Sequence, residues 1–87
     1  GLISQMVRAA ISIPSNIAEG CGRKSNKELH QFLNIALGSS FELETQFIIA
    51  KEFGYVTQET LDIVCTQLNE IQKLIRGFQK SLETNIK

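Results

Sequence analysis

Few side chains in this 87-residue chain stand where chemistry is ordinarily done. Glu42 and Glu44 come nearest to a paired acid and base. Residues two apart on a helix point about 200° away from one another, so these carboxylates do not converge on one substrate. His30 follows Leu29 on a polar stretch with Gln31, without metal-ligating companions, and reads as a solvated histidine. Cys21 and Cys65 lie far apart, with no Cys-x-x-Cys pair, which points to two reduced thiols rather than a zinc site or a disulfide framework. No nucleophile–base pair, phosphate-binding loop or metal cluster is legible. The expectation is therefore no catalytic, cofactor-binding or metal-binding residue, no small-molecule substrate and no enzymatic activity. Arg23, Lys24 and Lys27 form the one basic cluster. They lie at a turn and helix start where backbone amides also favour anions, which makes them candidates for contact with nucleic-acid phosphate.

The stretch from Ser12 to Arg23 is the most unusual in composition. It places the only proline, Pro14, among helix-forming residues, where it removes the hydrogen bond to Ala10 and costs about 3 kcal/mol. Asn16 and Glu19 follow, a turn apart. Folding the first helix against the second brings Arg8 level with residues 37–42, so an Arg8–Glu42 pair is expected. Arg8, Asn16, Glu19, Ser39, Glu42 and Glu44 together form a candidate polar network between helices or subunits. Gly38, Ser39 and Ser40 interrupt the second helix with small side chains, as a close backbone approach requires.

The elements that position these residues are helices. Leu2, Met6, Ala9, Ala10, Ile13 and Ile17 recur at three- and four-residue intervals and predict a helix over 2–19, closed by the glycines of Gly20-Cys21-Gly22 in the left-handed conformation. Ser25 with Glu28 matches a capping box, opening a helix over 26–52 that Gly54 stops. Thr57 caps a third, over 58–82. In the second helix Leu29, Leu33, Ala36, Ser40, Leu43, Phe47 and Ala50 alternate steps of four and three. Leu61, Val64, Leu68, Ile71, Ile75, Phe78 and Leu82 do so in the third. Folded back at Gly54-Tyr55, the two seams match rung by rung from Ala50–Leu61 to Leu29–Leu82. The fold class is all-α: an up-down antiparallel bundle forming a single domain over 1–87. Phe32, Ile35, Leu37, Phe41, Ile48 and Ile49 remain off the seam, so the second helix is apolar nearly all round and needs covering on several sides. One short helix cannot do that. A further helix upstream of Gly1 and neighbouring copies of the chain are both expected.

Nine basic and nine acidic residues give no net charge, which argues against a broad nucleic-acid-binding field. No apolar run approaches the roughly 20 residues that span a bilayer, and no leader is visible, so a cytoplasmic protein without a membrane partner is expected.

Ser12–Gly20, Gly1–Gln5, Arg8-Ala9-Ala10, Gly22-Arg23 with Ser25, Ala36–Ser39, Glu42–Gln46 and Gly54-Tyr55 carry a family resemblance that spans nearly the whole chain. The sequence resembles the bacterial four-helix bundle proteins encoded in intervening sequences of 23S ribosomal RNA genes, also labelled S23 ribosomal proteins. The resemblance implies the last three helices of a four-helix bundle, assembly as a homopentameric ring, no enzymatic activity and an unknown cellular role as scaffold or adaptor. A related branch resembles the RNA-binding accessory protein of diversity-generating retroelements. Here the chain departs by its neutrality and by Val7 where members often carry a second arginine. RNA binding through Arg23, Lys24 and Lys27, or a ribonucleoprotein partner, is the alternative expectation.

Overall fold

A computed structural model describes residues 1–84, so the end of the expected 1–87 domain lies outside the described residues. It contains α1 (Leu2–Cys21), α2 (Asn26–Glu52) and α3 (Gln58–Glu83), and no strand among the described residues. Each helix starts and stops for a local reason. The Ser25 hydroxyl accepts the Glu28 amide at 3.1 Å and donates to the Glu28 carboxylate at 3.2 Å, opening α2. Thr57 accepts the Thr60 amide at 3.1 Å and opens α3. Gly54, at φ 78°, is the one positive-φ residue among those described; the adjoining amides of Gly54 and Tyr55 return to the Lys51 and Ala50 carbonyls, closing α2.

The end of α1 departs from expectation. The helix runs on to Cys21, through both Pro14 and Gly20, and Gly22 caps it at φ −81°, a right-handed and not a left-handed conformation. Gly20 is instead a packing residue. A Cβ there would lie 2.7 Å from Phe32 Cβ and 2.9 Å from Leu29 Cδ1, so the missing side chain lets α1 seat directly on the start of α2.

The central element is α2. Leu33, Ala36 and Leu37 pack with Ile75 and Leu82 of α3, with Ile17 of α1 against them. Further along, Leu43 joins Ala9 and Ile13 of α1 to Leu68 of α3, flanked by Met6, Phe47, Val64 and Ile71. Ala36 and Ser40 are fully buried, so small residues stand where two neighbours converge on one helix. The apolar seam between α2 and α3 has one exception. Phe78 is 39% exposed, and Gln79 is buried at 5% in its place. The body measures 47 × 22 × 15 Å. Its 14.4 Å radius of gyration exceeds the about 12 Å of a compact chain this long.

Gly20→Ala is expected to lower stability by about 1–3 kcal/mol, because the added methyl has no room between Leu29 and Phe32. Gly77→Ala, in α3 where a Cβ meets nothing within 4 Å, is expected to raise it by about 0.5–1 kcal/mol. Urea denaturation of the two variants separates close packing from helix propensity.

Candidate functional site

Between α1 and α2 the polar residues of the Ser12–Gly20 stretch form a short network. Ser12 Oγ and Ser39 Oγ share a hydrogen bond of 2.8 Å across the two helices. Asn16 Nδ2 donates to the Ser12 carbonyl at 2.8 Å and to Ser12 Oγ at 2.9 Å, fixing the hydroxyl that faces Ser39. Asn16 and Ser39 thus belong to one inter-helix contact that also bridges the turn containing Pro14.

The other members of the expected network do not join it. Arg8 and Glu42 are both exposed and form no ion pair with each other. Arg8 precedes buried Ala9 and Glu42 precedes buried Leu43, so each side chain is turned about 100° away from the residue that faces the neighbouring helix. Glu19 pairs at 3.3 Å with Arg23, one turn on in sequence. Glu44 faces the other way and accepts from Gln72 Nε2 of α3 at 3.0 Å. Gly38 is not approached by any part of its own chain: a Cβ built there meets nothing within 4 Å. The small residue that does serve packing is Ser40, fully buried and donating to the Leu37 carbonyl at 2.6 Å.

Along the α2–α3 boundary lies a set of crosspieces that the seam pattern does not reveal. Gln79 Nε2 donates to Asn34 Oδ1 at 2.7 Å and to the His30 carbonyl at 3.3 Å, two turns along α3 from the Glu44–Gln72 bond. His30 Nε2 meets Glu83 Oε2 at 3.0 Å, so this half-buried histidine bridges two helices at their solvent-exposed margin. As residue numbers rise on α2 they fall on α3. The sequence signal for the glutamines is their place four residues after a seam leucine or isoleucine, Leu68 then Gln72 and Ile75 then Gln79, beside the apolar stripe. Cys65 stands on the same side; burial pushes its thiol above the ordinary range, and the Glu44 and Asp62 carboxylates add to the rise. Gln46, 7% exposed, keeps a buried Oε1 with no hydrogen-bond partner.

The basic turn is partly used up internally. The Arg23 guanidinium lies 4.9 Å from the Phe32 ring centroid while bonding Glu19. The start of α2 already holds the Glu28 carboxylate through its cap. Lys24 and Lys27 remain exposed. A groove of about 350 Å³ lined by Lys27, His30, Gln31 and Glu83 opens beside them, with both signs of charge on its walls. Among the described residues no group of three or more His, Cys, Asp and Glu is placed to hold a metal ion. No helix among them is long and apolar enough to cross a membrane.

What these features define is a small helical protein whose polar residues fix how its helices meet. Residues 1–77 match the family model of the 23S rRNA-intervening sequence protein, and the chain belongs to that family. No curated protein sequence matches it.

Gln79→Ala removes the Asn34 and His30 crosspieces together and is expected to cost about 1–2 kcal/mol. The midpoint of urea unfolding should fall with an unchanged slope, the signature of lost stability without a change in surface exposed.

Proposed function

We propose that this chain is a non-catalytic building block of a homo-oligomeric ring, a pentamer, that serves as a scaffold or adaptor. Its helices are three of the four of an up-down antiparallel bundle. The observation carrying this reading is the apolar surface the chain leaves uncovered. On α1, Ile3, Val7 and Ala10 border a cleft of about 290 Å³ whose floor is Leu43 and Phe47 of α2. On α3, Leu74 and Phe78 continue the edge from which Ile71 reaches the shared core, and Leu74 is 73% exposed. A trench so lined takes an amphipathic helix as its fourth wall. The chain exposes 5781 Å², against about 5,100 Å² for a compact protein of its 9.7 kDa mass. The surplus is surface that a fourth helix in the trench and a neighbouring copy elsewhere would together remove from water.

Sedimentation velocity at micromolar concentration tests the reading: a pentamer is expected, and a stable monomer overturns it. The second reading, RNA binding, draws on exposed Lys24 and Lys27, with ring assembly multiplying weak contacts. It requires affinity for structured RNA that falls steeply with added salt and is lost when both lysines become alanine. Binding that ignores salt, or no binding, removes it.

A further inference from the structure

The assembly proposed above leaves open which surfaces of neighbouring copies meet. Two rows of residues, on different helices and facing outward, are unused by the chain's own packing. On α2, Ile35, Gly38 and Glu42 follow one another at steps of three and four along the outer side, and Ile35 is 51% exposed. The space above Gly38 is empty. On α1, Arg8, Ile11 and Ser15 follow at the same steps, all exposed, with Ile11 at 59%. A repeat of three and four is the spacing at which a helix presents one seam to a partner helix.

We propose that the outer row of α1 in one copy packs antiparallel on the outer row of α2 in the next, setting Arg8 on Glu42, Ile11 over Gly38 and Ser15 beside Ile35. The match is complementary in charge at one rung: within its own chain each of Arg8 and Glu42 is exposed and outside every ion pair among the described residues. It is complementary in size at the next, where the one large apolar side chain of the α1 row, Ile11, meets the glycine of the other. Its third feature is level. Inside one chain α1 and α2 meet with Ser12 against Ser39 and Gly20 against Phe32. That register sets which residues of the two helices share a height. The three proposed rungs pair residues within about 3 Å of that same height, at about 1.5 Å per residue. Successive copies are therefore related by rotation with almost no step along the helix axes. A contact between two different faces closes into a ring when it rotates without climbing, and grows into a filament when it climbs. The occupant of the α2 ridge is thus a second copy of this chain, and the register favours a closed assembly.

The experiment is sedimentation velocity with circular dichroism on the wild type, Arg8→Glu, Glu42→Arg, the double reversal and Gly38→Leu. Each single reversal is expected to weaken assembly by about tenfold or more, since it places like charges at every interface. The double reversal restores it. Gly38→Leu dissociates the ring while helix content holds or rises, because leucine is the better helix former and the site has room within the chain. If the wild type assembles and the single reversals assemble equally well, this interface is wrong and the assembly reading stands. A double variant that stays dissociated overturns the Arg8–Glu42 pairing. A monomeric wild type overturns both.

Discussion

A helix packed against two others at once must present two apolar stripes and keep its bulk small where they meet, and α2 is held to that constraint along its whole length. Ala36, Ser40 and Ala50 are buried on it to 2% exposure or less, while leucines at 33, 37 and 43 reach to either side. Small residues at the line of convergence bring three backbones close enough for the flanking leucines and isoleucines to interdigitate at the density of a protein interior. Gly20 does the same at the end of α1, against Leu29 and Phe32. Without these positions the chain would be a hairpin with a loose third helix. With them, Ile17 and Ile71, on helices joined only through α2, border both core clusters.

Apolar seams alone permit sliding, since a step of seven residues along a heptad-like stripe replaces leucine with something similar. Polar crosspieces remove that freedom. A buried amide that loses its partner costs about 1–3 kcal/mol, so Gln79 on Asn34 and Gln72 on Glu44 favour a single register of α3 on α2. Ser12 on Ser39 does so for α1. Each interface therefore has an apolar stripe that supplies attraction and a polar margin that supplies alignment. The polar stretch around Pro14 belongs to this second function: Asn16 holds the Ser12 hydroxyl in place across the turn that the proline interrupts.

Periodicity made the helices legible, because a stripe every three or four residues is what one-sided burial leaves in a sequence. Caps were legible too, since Ser25 and Thr57 act through their nearest neighbours. The polar contacts were less so. Arg8 and Glu42 are level, as folding α1 on α2 requires, but level residues pair only if they also face one another, and facing depends on helix rotation that a height match does not contain. Gln79 in place of Phe78 reflects the same limit. Neighbouring positions on a helix differ by about 100°, and the choice between an aromatic just off the seam and an amide with two partners on it turns on those partners. The partner of His30 is not legible in the sequence, because Glu83 lies 53 residues away.

The trench and the ridge sit on opposite sides of α2, and no one neighbour covers both. The trench is floored by Leu43 and Phe47, which point the way the core points. The ridge runs through Gly38 and Glu42, which point away from it. A fourth helix laid in the trench completes a bundle and still leaves Ile35, Gly38 and Ile49 bare on the far side. Copies meeting at the ridge leave the trench open in every subunit. The two surfaces also differ in kind: the walls of the trench carry no charge along Ile3, Val7 and Ala10, as suits a permanent wall of a core, whereas the ridge mixes isoleucine with a glutamate and a glycine. Partly polar surfaces with room for close approach suit contacts between folded subunits, where each partner is already stable and the interface must also specify alignment. In the proposed assembly, α2 turns one side to the core and to the wall that would complete it, and the other side to the neighbouring copy.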